Sequence, residues 1–209
     1  MIFPCNGNAL EALDCLGQEY AFAGFVDDTP EKQRDGAFGH PVFARAALEE
    51  RKSCRVLAVP GGPSSFTVRA RIIESLGVDS NRFARVIHPA AQVSLNATIG
   101  YNVLVMAGVV LTSNAVIGNH VCLLPNTVVH HDSKVGDWTL VGSNVAIAGG
   151  VDVGENCYIG SGSSIRNGIR IGDQALIGLG STVIHDVPAG AVVAGNPARI
   201  LRHSQDRTS

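Results

Sequence analysis

Residues 117–135 read IGNHVCLLPNTVVHHDSKV, and an aliphatic residue returns at every sixth position within them. The same step extends from Val93 to Val183, and all sixteen positions along it are Val, Ile or Leu. The residue two places earlier is usually small or apolar, as at Ala97 and Thr127. A helix would repeat every three and four residues, and a hairpin sheet would need turn signals roughly every 8 to 12 residues. The six-residue step predicts instead short strands that each place one aliphatic side chain in a shared core.

A longer period lies on top of the first. Glycine follows the aliphatic residue at positions 100, 118, 136, 154 and 172, which are eighteen residues apart. Three steps therefore make one rung with three corners, and the same corner returns in each rung. Stacked rungs bury a continuous aliphatic column that no single rung could bury alone. We predict a parallel β-helix of triangular cross-section over residues 86–201, preceded by a different unit.

Residues 1–85 lack this period and have the strand and helix signals of a small α/β Rossmann-like domain. Predicted strands are MIF (1–3), AFAGFVDD (21–28) and RVLAVPGG (55–62), and predicted helices are LEALDCLG (10–17) and SSFTVRARIIESLG (64–77). This order predicts a three- or four-stranded parallel sheet covered on both faces. Residues 202–209 form a polar tail that we expect to be frayed.

The composition excludes several classes of function. The formal net charge is −2 and only 16% of residues are charged, which gives no electrostatic case for binding nucleic acid or a membrane surface. No apolar run approaches the ~18 residues that span a bilayer. The cysteines are odd in number and contain no CxxC pair, so we expect reduced thiols in a cytoplasmic protein without a metal site. They are Cys5, Cys15, Cys54, Cys122 and Cys157.

The corners of the β-helix can be compared column by column. The column of Asn102, His120 and Trp138 is mostly polar, and we expect it to face solvent. A second column reads Ser113-Asn114, His131-Asp132, Gly149-Gly150 and Asn167-Gly168. There a histidine lies one rung from two glycines, which places an imidazole beside open main chain. Acyl transfer needs a base of near-neutral pKa and an N–H that polarises a carbonyl. The alternative is a polar corner without chemistry, since the corners of any β-helix are polar.

At these residues the sequence resembles a known family. The motifs are HHD (130–132), AGGVDVG (148–154) and VPAGAVVAGNPARIL (187–201), with GFVDDTPEKQ (24–33) and VIHPAAQVS (86–94) before the repeat. They resemble the left-handed β-helix acyltransferases of the hexapeptide-repeat superfamily. The order of segments is similar to the sugar-nucleotide N-acetyltransferases and sialic acid O-acetyltransferases, in which a small Rossmann-like domain precedes a trimeric β-helix. The resemblance implies a left-handed coil, a homotrimer, and acetyl-CoA as cosubstrate without a metal.

The resemblance also implies roles for individual residues. His131 would act as general base, and Asp132 would orient its ring. The Gly149 N–H would bind the thioester carbonyl, and transfer would be direct, without an acyl-enzyme. The residues expected along acetyl-CoA are Gly149, Ser161, Asn167, Gly180, Pro197 and Arg199. His130 is expected to point outward, toward solvent or a neighbouring chain.

The acceptor half carries fewer matches to the family. Asp27 and Asp28 match the acidic pair that holds the nucleotide. Pro60 and Gly61, followed by Gly62, are expected either to supply further main-chain contacts or to form a purely structural turn. The first turn reads PCNGNA, so Asn6, Gly7 and Asn8 replace a glycine-rich pattern, and Asn8 stands where histidine is common. This departure leaves the nucleotide and the sugar open.

These features predict an acetyl-CoA-dependent N-acetyltransferase that acts on a nucleotide-linked amino-deoxy sugar, expected to be a UDP-4-amino sugar, in bacterial surface glycan biosynthesis. O-acetylation of sialic acid or a related sugar hydroxyl is the nearest alternative, because it needs the same base and the same donor. A zinc hydratase using His120, His130 and His131, or a non-catalytic binding protein, is a more remote one. The apolar outward residues Met106, Leu124 and Leu140 lie where a neighbouring subunit could cover them, and exposed apolar residues tolerated at the surface are the equal alternative.

Overall fold

A computed structural model describes residues 1–203 of the chain. The N-terminal part is a four-stranded parallel sheet in the order β3-β2-β1-β4, as the sequence predicts. Its strands are β1 (Ile2–Phe3), β2 (Phe25–Val26), β3 (Val42–Phe43) and β4 (Leu57–Ala58). Its helices are α1 (Gly7–Glu11), α2 (Pro30–Asp35), α3 (Ala46–Glu50) and α4 (Arg69–Glu74), with short 3-10 turns at Phe66–Val68 and Ser80–Arg82.

The two faces of this sheet have different covers. Phe3 packs in one apolar cluster with residues of α3 and α4, such as Leu48 and Ile73. Ile2, on the opposite face, packs with Ala9 of α1 and with the β-helix itself. One layer of the expected cover is therefore supplied by the second half of the chain.

Two helices differ in extent from their predictions. Over residues 64–77 only Arg69–Glu74 is α-helical, because Thr67 and Val68 in the 3-10 turn before it are β-branched and favour helix less. The helix predicted at 10–17 lies earlier, at Gly7–Glu11. Its start is fixed by Asn6, whose side-chain oxygen accepts from Ala9 N at 2.9 Å.

Residues from Arg85 onward form three sheets that are the faces of a prism, and all their strands pair in parallel except the last strand, Ala198–His203. Face 1 contains β5 (Arg85–Ile87), β8 (Val103–Val105), β11 (Cys122–Leu123), β14 (Leu140–Val141), β17 (Tyr158–Ile159), β20 (Leu176–Ile177), β22 (Ala191–Gly195) and β23 (Ala198–His203). Face 2 contains β6 (Gln92–Val93), β9 (Val110–Leu111), β12 (Val128–Val129), β15 (Ala146–Ile147), β18 (Ser164–Ile165) and β21 (Thr182–Val183). Face 3 contains β7 (Thr98–Ile99), β10 (Val116–Ile117), β13 (Lys134–Val135), β16 (Asp152–Val153) and β19 (Arg170–Ile171).

The strands pair in register with partners eighteen residues away, as at Val129 and Ile147. The six-step aliphatic residues form the core, and Val129, Val135 and Ile147 are each 0% exposed. Inward Ser and Thr residues keep their hydroxyls satisfied: Ser133 Oγ donates to the Ala148 carbonyl at 2.7 Å. The repeat read from the sequence is thus the core of the β-helix.

The corners run along three edges, each named here by one of its residues. The His131 edge joins faces 2 and 3, the Ser161 edge joins faces 1 and 2, and the Trp138 edge joins faces 3 and 1. The second residue of most corner pairs has a positive φ, which explains why it is so often Asn or Gly. Asp132, at φ +59°, is one of these residues.

The N-terminal sheet packs on face 1 and the Trp138 edge, so the prediction that this edge faces solvent is wrong. Asn102 is 1% exposed; its side chain accepts from Ala58 N at 2.7 Å and donates to Ala58 O at 3.0 Å. Met106 and Leu140 are covered by the same chain. They therefore give no support for a neighbouring subunit.

β22 and β23 form an antiparallel pair that reaches His203. The predicted tail thus begins within a strand, and residues 204–209 of it lie outside the described residues. Within residues 1–203, no helix has the length and apolar character needed to cross a bilayer. The five cysteines are all unpaired.

Candidate active site

Three side chains are linked by hydrogen bonds along the His131 edge. His131 Nδ1 lies 2.8 Å from Asp132 Oδ2, and Asn114 Nδ2 donates to Asp132 Oδ1 at 2.9 Å. The hydrogen bond from Asn114, followed by that from His131, holds the pKa of the Asp132 carboxyl below its usual value. An ionised Asp132 accepts from Nδ1–H of His131, which leaves the lone pair of a neutral imidazole on Nε2. The arrangement therefore presents an oriented base.

Gly149 lies one rung later on the same edge, and it faces that imidazole. The Gly150 N–H donates to the His131 carbonyl at 2.9 Å, which fixes the two rungs in register. A Cβ at residue 149 would lie 2.6 Å from His131 Nε2, so the ring occupies the space that a side chain would need. No group among residues 1–203 accepts from the Gly149 N–H. A free main-chain donor thus lies beside the proton-accepting nitrogen.

A shallow groove of about 260 Å³ runs beside this edge on face 2. Its floor is made of small outward residues such as Ala146, Ala148 and Ser164, and His130 and Arg166 lie at its sides. Both the His131 and Asp132 side chains are open to solvent, 66% and 59% exposed. The His131 side chain is therefore accessible from solvent, next to a groove whose lining includes its neighbour His130.

The other residues predicted along acetyl-CoA divide between edges. Asn167 is exposed on the His131 edge, one rung beyond Gly149. Ser161 and Gly180 lie on the Ser161 edge, across face 2, and Ser161 Oγ accepts from Ser143 N at 3.0 Å. Pro197 and Arg199 are exposed in the β22–β23 hairpin. Within one chain the structure brings Gly149 and Asn167 to His131 and leaves the other four apart.

The predicted acceptor residues of the first turn serve mainly to build that turn. Asn6 caps α1. Asp27 is buried, and its oxygens accept from Cys5 N at 2.9 Å, Thr29 N at 3.0 Å and Lys32 Nζ at 2.9 Å. Asp27 therefore ties the second strand to the first turn through three hydrogen bonds.

Asp28 and Gly7 remain at the surface. Asp28 is exposed and pairs with Arg45, whose Nε lies 2.9 and 2.7 Å from the two carboxylate oxygens. A ligand at Asp28 would share it with this guanidinium. Gly7 is exposed, and a Cβ there would meet no atom within 4 Å.

A cavity of about 160 Å³ lies where the N-terminal sheet meets face 1. Two predicted acceptor residues, Asn8 and Gly61, line it. The other lining residues are Gly62, Pro63, Cys122, Leu124, Leu140, Val141, Gly142 and Tyr158. Pro60 is buried behind this wall, and its carbonyl accepts from Arg69 Nε at 2.8 Å. Of the predicted acceptor residues, Asn8 and Gly61 therefore line a cavity, and their role in binding the acceptor stays a prediction.

The three histidines of the zinc alternative do not converge. His120 is 6% exposed on the Trp138 edge, where it stacks on Trp138 and its Nδ1 lies 2.8 Å from Asn102 Nδ2. His130 and His131 lie on a different edge. Burial lowers the pKa of His120 to about 4, with a further contribution from the charge of Arg69. His120 therefore belongs to the packing between the two parts of the chain.

Two functional candidates, Asn114 and Arg69, were not predicted. Asn114 lies in register with Asp132, eighteen residues earlier in the chain. A comparison of corner residues at this spacing could therefore have identified it. Nothing in the sequence marks Arg69 as a buried or functional residue, because an arginine in an amphipathic helix is usually solvated.

Comparisons with known proteins agree with the resemblance predicted from the motifs. The family model "Bacterial transferase hexapeptide (six repeats)" matches residues 114–149 and 132–167, which include His131 and Gly149. No curated protein sequence matches the chain.

Solved structures match nearly the whole chain. A variant of perosamine N-acetyltransferase from Caulobacter crescentus, in complex with CoA and GDP-perosamine, is 28% identical with a TM-score of 0.85, over 95% of this chain and 94% of that one. The acetyltransferase domain of PglB from Neisseria gonorrhoeae FA1090, in complex with acetyl coenzyme A, is 25% identical with a TM-score of 0.83, over 96% and 97%. WeeI from Acinetobacter baumannii AYE has the same identity and TM-score, over 96% and 98%.

Proposed function

We propose that this chain, which has the repeat and the fold of the hexapeptide-repeat acyltransferases, is an acetyl-CoA-dependent N-acetyltransferase of a nucleotide-linked amino sugar. The observation that carries the proposal is the contact between the His131 imidazole and the main chain of Gly149, beside a groove. The similar Caulobacter structure holds CoA and GDP-perosamine, and the similar Neisseria structure holds acetyl coenzyme A. These complexes support acetyl-CoA as the donor and a nucleotide-linked amino sugar as the acceptor.

His131 Nε2 would take the proton of the acceptor amine as the amine nitrogen attacks the thioester carbonyl. Asp132 would keep Nδ1 protonated and stabilise the imidazolium that forms. The Gly149 N–H would donate to the carbonyl oxygen as negative charge develops there. The C–S bond then breaks, and the thiolate of CoA takes the proton held by His131, which releases the thiol and restores the neutral imidazole. The amide and the thiol are the only products, and no acyl-enzyme is needed.

Assembly as a homotrimer is part of the proposal. The His131 edge is opposite face 1 in the triangular cross-section, whereas the cavity lined by Asn8 and Gly61 lies on face 1. One chain therefore holds an acceptor cavity and a base on opposite sides of the prism. A second copy, packed with its cavity toward the His131 edge of the first, would complete the site. Ser161, Gly180, Pro197 and Arg199 would then contact acetyl-CoA from a neighbouring copy.

The remaining features follow from the same similarity. We propose a left-handed coil, a Rossmann-like domain over residues 1–85, a β-helix domain over 86–201 and a polar tail over 202–209. We also propose a cytoplasmic location, because acetyl-CoA is an intracellular metabolite. The acceptor we favour is a UDP-4-amino sugar, in bacterial surface glycan biosynthesis. Asn8, in place of a histidine, is the reason to include other nucleotides in the test.

The test is an acetyl-transfer assay that follows free CoA thiol. Purified protein is given acetyl-CoA with UDP-, GDP- and dTDP-linked amino sugars, and with N-acetylneuraminic acid as a hydroxyl acceptor. We expect thiol release with an amino sugar and an N-acetyl product by mass spectrometry. His131→Ala should lower kcat by about 10²–10⁴-fold. Acetylation of the hydroxyl acceptor alone, or a full-rate His131→Ala enzyme, would contradict the proposal.

A further inference from the structure

Among residues 1–203, Arg69 is the largest fully buried side chain, and no carboxylate there pairs with its charge. It is 0% exposed at the start of α4. Its Nε donates to the Pro60 carbonyl at 2.8 Å, and its Nη1 donates to the His120 carbonyl. Among the described residues, Nη2 has no partner and no carboxylate pairs with the guanidinium.

This arrangement is costly for folding alone. Burial lowers the pKa of Arg69 to about 10, which still leaves the guanidinium protonated at neutral pH. A buried charge without a counter-ion is destabilising, and an apolar residue of similar volume often packs as well or better. Two carbonyl hydrogen bonds offset only part of the desolvation, so the charge calls for a further explanation.

The position of the Arg69 side chain supplies an explanation for this buried charge. A Cβ at Gly61 would lie 3.2 Å from Arg69 Cδ and 3.2 Å from Leu140 Cδ1, so the arginine packs directly behind the main chain of Gly61. Gly61 and Leu140 line the acceptor cavity. The side chain that bears the positive charge therefore packs behind the cavity wall, fully buried, where screening by water is weak. Gly61 has φ +110°, a conformation that keeps this wall free of side chains.

We propose that Arg69 is a positioning residue that selects the diphosphate of a nucleotide sugar as the anionic part of the acceptor. It fixes the Pro60 carbonyl against the β-helix, and its field acts through the Gly61–Gly62 main chain. This inference rests on the proposed function and deepens it. It places the diphosphate at the Gly61–Gly62 main chain, beside the N-terminal sheet.

The test is calorimetric binding of UDP, GDP and dTDP, with uridine, guanosine and thymidine as uncharged counterparts. Arg69→Met removes the charge at similar volume, Arg69→Gln removes it and keeps a hydrogen-bond donor, and Arg69→Lys retains the charge. We expect the first two variants to bind the preferred diphosphate about tenfold more weakly and Arg69→Lys to stay within about threefold of wild type. Binding of the nucleoside and of acetyl-CoA should not change. Arg71→Met, two residues away and exposed, is the matched control.

The outcomes distinguish a failure of the inference about Arg69 from a failure of the proposed function. Unchanged diphosphate binding by both Arg69→Met and Arg69→Gln would overturn the inference and leave the proposed function standing. Equal loss of nucleoside and diphosphate binding would show that Arg69 only supports the fold, and would also overturn it. Failure of the wild-type protein to bind any of the three diphosphates would remove the proposed function and this inference together.

Discussion

At residue 149 the chain has no room for a side chain, because the imidazole of His131 fills the space. The backbone there does not require glycine, since its φ is not positive, and the only atoms in the way belong to the His131 ring. Gly149→Ala should therefore fold normally but displace the ring from the free N–H. We expect kcat to fall by about 10²-fold or more while the melting temperature changes by only a few degrees. Steady-state kinetics and thermal unfolding measure the two; unchanged kcat would show that this contact plays no part in the reaction.

At the scale of single residues, the sequence predicts where a side chain lies in the fold better than it predicts which groups that side chain contacts. The period placed His131 and Gly149 on one edge, one rung apart, because register in a β-helix is fixed by counting. The same counting would have found Asn114. The use of Asp27 could not be found this way. Its oxygens accept from Cys5, Thr29 and Lys32, and those contacts depend on how a short turn closes against a helix.

Among the elements, the short strands of the β-helix are stabilised by their inward side chains. Val135 and Val116 occupy face 3 in adjacent strands, but Val135 points inward at 0% exposure and Val116 points outward at 39%. Val135→Ala should lower the free energy of unfolding by roughly 2–3 kcal/mol, from lost transfer energy and a cavity. Val116→Ala, the matched control, should cost less than about 1 kcal/mol. Chemical denaturation measures both, and equal costs would contradict the assigned inward face.

The packing of the N-terminal sheet on the Trp138 edge should depend on pH through His120. The folded state keeps this imidazole neutral, with a pKa of about 4, whereas an unfolded histidine titrates near ~6.5. Below the unfolded pKa the unfolded chain binds a proton that the folded chain does not. The stabilisation is therefore complete above pH ~6.5 and is lost as the pH falls toward about 4.

His120→Gln should flatten this part of the stability profile. Urea midpoints measured between pH 4 and 7 should fall less steeply for the variant than for wild type, although the variant begins lower because the contact with Asn102 changes. His130→Gln, at an exposed position on the β-helix, should keep the wild-type slope. Identical slopes for His120→Gln and wild type would show that His120 titrates alike in the folded and unfolded chains.

The Trp138 edge shows which feature of these elements could not be predicted from the sequence. Six-residue counting gave the strands, the core and the corners, because each depends only on neighbours one rung away. It could not show that the corner of Asn102, His120 and Trp138 is covered, since that cover comes from residues far away in sequence, such as Ala58 and Phe83. Polar corner residues look alike whether they meet solvent or another part of the chain.

For the whole molecule, the placement of the N-terminal sheet on face 1 is the arrangement with the largest consequence. It puts the cavity lined by Asn8 and Gly61 and the His131 edge on opposite sides of one prism. If that cavity binds the nucleotide sugar, as we propose, a chain alone cannot bring the amine of that sugar to its own base. If copies pack side by side, each site would take its cavity from one copy and its base from the next. Two inactive variants should then complement each other.

The test is co-expression of His131→Ala with Asn8→Trp, whose indole should fill the cavity lined by Gly61 and Tyr158. Each variant alone should be inactive. In a randomly mixed trimer, about a quarter of the sites combine an open cavity from the His131→Ala chain with an intact base from the Asn8→Trp chain. Such mixtures should regain about a quarter of wild-type activity, whereas variants purified apart and mixed without subunit exchange should not. If base and cavity of the same chain worked together, every mixture would stay inactive, because each chain lacks one of the two parts.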